Sequence, residues 1–241
     1  MAAQEFKCIV KSFKMLTPTV FEVTFDGRLA ADGTTPMQFD AGQFVSVVIP
    51  GAGPKGRDLR RAYSIASGPD VHPIELCVKL VDGGPGTNYL YKLREGSEFK
   101  GYAPYGDFVY RTHSSKNACF IATGTGIAPF RAMVFSKKYQ QDPPQKAYCL
   151  LGVRTESELI YVDEFKNLPN MKFVQAVSQP EAPWDGYKGR VTDYLKGLDA
   201  DFPWLETEYY LCGSGPMIAE LKLFFAEKGV QKEHIHVEKY Y

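Results

Sequence analysis

At Arg111-Thr112-His113-Ser114-Ser115-Lys116-Asn117 the sequence changes its periodicity, and one layer architecture does not suit both sides of the change. Upstream, short β-prone runs alternate with turn residues. Phe6 to Phe13 and Val20 to Phe25 are separated by Thr17-Pro18-Thr19, and a loop rich in Gly, Ala and Thr runs from about Gly27 to Pro36. Phe44 to Ile49 comes next, stopped by Pro50-Gly51-Ala52-Gly53-Pro54. A strand around Arg61, another over Ile74 to Val81 and a last over Phe99 to Tyr110, bent by Pro104-Tyr105-Gly106, complete the set. Short strands at this spacing predict a six-stranded antiparallel barrel, whose closure removes exposed edges.

Downstream, strand-like and helix-like runs alternate. Strands are expected at Ala118 to Ala122, Lys146 to Gly152, Lys172 to Ser178, Tyr209 to Cys212 and His234 to Val237. Helices are expected at Phe130 to Tyr139, Val162 to Asn167, Thr192 to Leu198 and Met217 to Glu227, the last ended by Gly229. Such alternation builds a parallel sheet, here of five strands, with right-handed crossovers and helices on both faces. The fold class is therefore β followed by α/β, divided into residues 1–113 and 114–241.

A chain of 241 residues has room for two such domains of roughly 110–130 residues each. Acidic and basic residues number 28 each, so no net field points to nucleic acid or an anionic membrane. The five cysteines (Cys8, Cys77, Cys119, Cys149 and Cys212) are scattered, with no C-x-x-C pair, and write neither a zinc site nor an iron–sulfur site. Reduced, buried thiols, the absence of a signal-peptide run and the absence of a bilayer-length apolar stretch lead us to expect a cytoplasmic protein without a membrane span.

Four stretches carry residue types that a core does not require. Arg61-Ala62-Tyr63-Ser64-Ile65-Ala66-Ser67 puts Arg61 and Tyr63 on one face of a strand, a cation for a phosphate beside an aromatic for a planar ring. It is also short enough to be an ordinary edge strand. Asp82-Gly83-Gly84-Pro85-Gly86-Thr87 leads into a short amphipathic helix, Asn88 to Leu93. Such a start either offers backbone amides to an anion or serves as a flexible hairpin turn. Thr123-Gly124-Thr125-Gly126-Ile127-Ala128-Pro129 lies between the first downstream strand and its helix, where a ligand is favoured, although the third glycine of G-x-G-x-x-G is missing. Cys212-Gly213-Ser214-Gly215-Pro216-Met217 occupies the equivalent place later in the chain; Cys212 also suits a small buried position. The tail Val237-Glu238-Lys239-Tyr240-Tyr241 adds an acid and two aromatics directly after a core strand.

In order and spacing, Arg61 to Ser64, Gly84 to Thr87, Thr123 to Pro129, Cys212 to Met217 and Val237 to Tyr240 resemble the ferredoxin–NADP(+) reductase superfamily over nearly the whole chain. The resemblance implies an N-terminal FAD-binding barrel and a C-terminal Rossmann-like NAD(P)-binding domain. It implies FAD contacts from Arg61, Ala62, Tyr63, Ser64, Ile65, Val78, Lys79, Gly84, Gly86 and Thr87. Among these, Arg61 clasps the diphosphate, Tyr63 stacks on the flavin and Ser64 bonds near N5. It implies nicotinamide-nucleotide contacts from Gly124, Thr125, Gly126, Ile127, Pro129, Arg154, Ser178, Gly213, Pro216 and Met217. Ser64, Cys212, Glu238 and Tyr240 are the implied catalytic set, and Tyr240 and Tyr241 resemble the terminal aromatics that cover the flavin.

The implied activity is that of an FAD-dependent NAD(P)H oxidoreductase serving ferredoxin, flavodoxin or a similar carrier. Rivals are an NADH-dependent flavin reductase, an oxygenase reductase component, and a non-catalytic nucleotide-binding relay subunit of a larger complex. The sequence departs from NADP-specific members after Ser178, where Gln179-Pro180-Glu181 stands in place of an arginine. Trp184, Gly189, Val191 and Thr192 resemble the NADH-using branch, so NADH is favoured over NADPH, with Lys188 and Arg190 as remaining positive charges.

Overall fold

The structure, a computed structural model, describes residues 2–111, 115–181, 183–198 and 201–240. Part of the polar stretch (Thr112, His113, Ser114) and the terminal Tyr241 lie outside the described residues. The chain divides into two compact units, Met1–Tyr110 with Ala128–Gln140, and Arg111–Ile127 with Gln141–Tyr241.

In the first unit, β1 (Gln4–Met15), β2 (Val20–Leu29), β3 (Phe44–Ile49), β4 (Leu59–Ser64), β5 (Ile74–Lys79) and β6 (Glu98–Tyr105) form one antiparallel sheet in the order β4-β3-β6-β1-β2-β5. Alternation drives the burial: Phe6, Cys8 and Val10 point inward while Lys7 and Lys11 point out. The two ends of the sheet meet where Ile65 bridges Leu76 and the Ala66 amide donates to the Glu75 carbonyl (2.8 Å). The strand bearing Arg61 and Tyr63 therefore closes the barrel. Phe21, Phe25, Val45, Ile74, Leu76 and Leu90 fill its interior.

Two expected elements end differently. The last strand stops at Tyr105 rather than Tyr110, because Gly106 adopts a left-handed φ of 95° that breaks the ladder. Tyr110 remains buried, its ring 5.0 Å from that of Tyr139. The helix expected over Phe130 to Tyr139 is two helices, α2 (Ala128–Val134) and α3 (Lys137–Gln141), once α1 (Pro85–Lys92) has been counted. Ser136 makes the break: its hydroxyl donates to the Met133 carbonyl (2.7 Å) and accepts from the Tyr139 amide (3.2 Å), ending one helix and capping the next.

Residues 128–140 pack with the barrel. Arg131 donates to the Ala66 carbonyl (3.1 Å) and pairs with the Glu75 carboxylate. Gly42 and Gly68 lie so close to Met133 and to the Phe135 backbone that a Cβ at either would stand 2.5 Å from the Met133 Cε or 3.1 Å from the Phe135 carbonyl oxygen.

The second unit is a parallel sheet of β7 (Asn117–Thr123), β8 (Ala147–Val153), β9 (Met171–Val177), β10 (Tyr187–Lys188), β11 (Thr207–Ser214) and β12 (Ile235–Tyr240), ordered β10-β9-β8-β7-β11-β12. It has six strands rather than the expected five, because Tyr187 and Lys188 pair with Ala176 and Val177 at the edge. Helices α4 (Val162–Lys166), α5 (Val191–Lys196) and α6 (Gly215–Glu227) lie in the connections after β8, β10 and β11, while α2 and α3 lie in the connection from β7 to β8; Gly229, at φ 78°, lies just beyond α6. The strand order reverses between β7 and β11. No described helix is long and apolar enough to cross a membrane.

Candidate cofactor and nucleotide sites

In the barrel, β4 pairs Arg61 with Val47 and Tyr63 with Val45, so both side chains leave the same face. That face meets the start of α1. A Cβ on Gly86 would stand 2.4 Å from the Tyr63 hydroxyl and 2.9 Å from the Arg61 Cγ, which is why glycine is found there. The helix begins at Gly84 with Pro85 following, and no side chain caps its amides. Thr87 and Asn88 instead donate to the carbonyls of Gly84 and Val81 (2.7–3.3 Å), fixing the turn without consuming the helix-start donors.

Arg61 is exposed and donates one bond to the Arg60 carbonyl (2.9 Å). Tyr63 is half-buried; burial outweighs the nearby Arg61 charge and pushes its phenol up to about 12, so it stays neutral. Ala62 is exposed, and Ser64 and Ile65 are buried at the strand end that closes the barrel. The Val78 side chain lies in the barrel core, and Lys79 is exposed beside it. An exposed guanidinium, a neutral aromatic and an uncapped helix start form a donor set suited to a diphosphate carrying a planar ring system, so these residues fit FAD.

In the parallel sheet, the two glycine turns meet at the carboxyl ends of β7 and β11, where the strand order reverses. This is the ligand-binding position of open α/β sheets. They interlock through the Thr123 hydroxyl and through close backbone approaches. The Thr123 hydroxyl accepts from the Ser214 amide (2.9 Å). A Cβ on Gly126 would lie 2.3 Å from the Cys212 carbonyl oxygen, and one on Gly213 would lie 2.2 Å from the Thr123 Oγ1. Gly213 also holds φ 130°, and Gly124 φ 52°. Ile127 and Pro129 are buried beyond the first turn, and Thr125 is half-buried within it. Pro216 and Met217 open α6.

Cys212 is fully buried and pairs in register with Glu238, while Ser214 pairs with Tyr240. Burial, reinforced by the Glu238 charge, pushes the thiol well up despite its hydrogen bond with Tyr240. The thiol is protonated, a packing and hydrogen-bonding group rather than a nucleophile. All five cysteines are free and buried.

At the ends of β8 and β9, the Arg154 Nε donates to the Gln179 side-chain oxygen (2.8 Å), and the Gln179 amide donates to the Arg154 carbonyl (2.8 Å). The Ser178 amide reaches the Val153 carbonyl (3.1 Å). Glu156 accepts from the Glu181 amide (3.1 Å), placing one carboxylate beside a segment that carries another. Arg190 is held by Asp193 and Glu220. Two residues of this unit stand in the motifs above without an assigned role. Thr123 was visible only as a hydroxyl ending a strand. Lys239, whose Cε would stand 2.6 Å from a Cβ on Gly215 at the start of α6, depends on a pairing register that sequence does not show.

The oxidoreductase FAD-binding domain family matches residues 22–110, and the oxidoreductase NAD-binding domain family matches residues 120–222. The chain is 32% identical to ferredoxin–NADP reductase B of Sorangium cellulosum, over 99% of this chain and 98% of that protein. It is 29% identical to the reductase component of phenol 2-monooxygenase from a Pseudomonas species, covering 99% of this chain and 66% of that protein. Among solved structures, a cytochrome P450 reductase from Amycolatopsis superposes with TM-score 0.83 at 26% identity, over 98% of this chain and 70% of that one. A ferredoxin–NADP(+) reductase from Neisseria gonorrhoeae, with bound FAD and NADP, gives 0.80 at 22% identity over 100% of both chains. The chain belongs to the ferredoxin–NADP reductase family and is an FAD-dependent NAD(P)H oxidoreductase.

Proposed function

We propose that this reductase takes hydride from NADH in preference to NADPH and delivers single electrons to a ferredoxin, a flavodoxin or an oxygenase component. The observation that supports it best is the interlocked pair of glycine turns at the reversal point of the parallel sheet, a backbone-lined berth for a nucleotide. When bound, FAD supplies two-electron acceptance and one-electron release. The chain supplies binding and orientation. Arg61 and the α1 amides hold the diphosphate, Tyr63 stacks as a neutral ring, and Ser64 donates near the flavin's reactive edge. Thr125, Gly126 and Gly213 let the nicotinamide nucleotide approach the backbone, with Cys212, Glu238 and Tyr240 at its reactive end. We assign FAD to residues 1–113 and the nucleotide to 114–241, a reading supported by the two family matches, with helices 128–140 serving the barrel.

The preference for NADH rests on Gln179, which occupies Arg154 with a hydrogen bond, and on the carboxylates of Glu156 and Glu181, which disfavour a further phosphate. An oxygenase component as acceptor is favoured by the likeness to the phenol monooxygenase reductase. The five free, buried thiols support a cytoplasmic setting.

Anaerobic titration of the purified flavoprotein with NADH and NADPH, followed by a screen of carrier proteins, tests the reading. Bleaching of the flavin band by NADH at lower concentration than NADPH, with onward reduction of a carrier, is expected. A flavin that neither nucleotide bleaches would leave only a docking or relay role.

A further inference from the structure

At the amino ends of β7, β11 and β12, opposite the glycine turns, four charged or titratable side chains converge. Glu208 is buried, 6% exposed, at the start of β11. One carboxylate oxygen takes the His234 Nδ1 (2.8 Å) and the Lys116 ammonium (3.3 Å), and the other takes the His236 Nε2 (2.8 Å). The Lys116 ammonium also lies beside the His234 ring, 3.2 Å from Nδ1 and 3.3 Å from Nε2. The His236 ring lies 4.8 Å from that of Tyr210, whose hydroxyl accepts from the Arg111 amide (3.0 Å). Nothing in the proposed reaction uses this cluster.

Its place on the sheet suggests what it does. Paired residues in adjacent strands share a face, and that face recurs every second residue. Glu208, Tyr210, Cys212 and Ser214 therefore form one row on β11, and His236, Glu238 and Tyr240 form the matching row on β12, with His234 in the turn just before that strand. The Glu208 cluster and the Cys212–Glu238 pair are two ends of one ladder. Among the described strands β12 lies at the sheet edge, next to β11, and a slip of one residue would turn Glu238 and Tyr240 to the opposite face.

We propose that Glu208 is a positioning residue: by gripping the imidazoles of His234 and His236 it fixes the register of the final strand, and so sets where Glu238 and Tyr240 lie against Cys212. The claim that this matters for hydride transfer rests on the function proposed above; the claim about the strand does not. Burial raises the Glu208 carboxyl, but the bonds from His236, His234 and Lys116 outweigh it and bring it to about 2, below its ordinary 4.5. The sign follows. A carboxyl lowered on folding stabilises fully above pH 4.5, and its contribution is lost as pH falls toward about 2.

Glu208→Gln keeps the shape but cannot accept from both imidazoles with two charged oxygens. In the full-length protein, amide exchange at 235–240 should rise about ten-fold, the scale of one lost charge-assisted hydrogen bond. Exchange in β7 and β8 should stay unchanged. Alkylation of Cys212 by iodoacetamide should accelerate by a similar factor while Cys119 and Cys149 remain protected, and acid loosening of the tail between pH 4.5 and 2 should vanish in the variant. His236→Phe, which keeps the ring against Tyr210, should give the same tail phenotype and add little to Glu208→Gln. Wild-type exchange at 235–240, or equal acceleration at all three cysteines, would overturn the proposal. A loosened tail in a protein that no nicotinamide reduces would preserve the positioning role and remove the proposed reaction.

Discussion

The two candidate sites are built from different materials. In the barrel, the walls are side chains: Arg61 and Tyr63 project from β4, the tight approach at Gly86 is to a phenol hydroxyl and an arginine methylene that can both swing away, and the one at Gly84 is to the Thr87 hydroxyl. In the parallel sheet, the walls are mostly backbone: Gly126 abuts the Cys212 carbonyl, and Gly213, holding a left-handed φ, abuts the Thr123 hydroxyl and, just behind it, the Thr123 backbone. A site walled by side chains tunes affinity through charge and tolerates adjustment. A site walled by backbone recognises by shape and fails as a unit when one atom is added.

Gly126→Ala should be the most damaging change. A methyl 2.3 Å from a carbonyl oxygen forces the turns apart. The cost is about 1–3 kcal/mol or more. Nicotinamide-nucleotide binding, measured by calorimetry, should fall about 100-fold with flavin content intact; retained binding would show that the backbone wall yields after all. Arg61→Ala should come next. Losing one charge-assisted hydrogen bond, worth about 1.5–3 kcal/mol, weakens FAD by about 10- to 100-fold. Dialysis against dilute FAD, read by absorbance, would show it, and undiminished flavin retention would take the diphosphate away from Arg61. Gly86→Ala should cost about ten-fold in the same assay, since flexible neighbours absorb part of the clash. If it matches Gly126→Ala in severity, the contrast between the two walls is false. Gln179→Arg should be the mildest. It removes the acceptor that occupies Arg154 and adds a cation, so the NADPH-to-NADH ratio of kcat/KM should rise several-fold. An unchanged ratio would place phosphate discrimination elsewhere.

Much of this architecture is legible in the residues because short-range physics writes it. The two-residue alternation of Phe6, Cys8 and Val10 marks a half-buried strand, and the glycine turns mark sites where a Cβ has no room. What stays hidden depends on partners distant in sequence or on elements too short to show a period. Tyr187 and Lys188 make a strand of two residues, below any detectable alternation. The break at Ser136 interrupts a continuous apolar and basic run and is fixed by the bonds its hydroxyl makes. Arg131 and Glu75 stand 56 residues apart, and no local pattern announces their pairing. The same holds for Lys116, Glu208 and His234, which three separate strand starts bring together.

Because Arg131 pairs with Glu75 and reaches the Ala66 carbonyl, the barrel borrows a piece of chain that the sequence places after the first strand of the other sheet. An excised fragment ending at the polar stretch would carry Glu75 without its counter-cation and leave Phe108 and Tyr110 stripped of Phe130 and Tyr139. The gene order of the two halves is thus not a cutting line: the compact unit that holds the barrel is discontinuous in sequence and takes in residues 128–140.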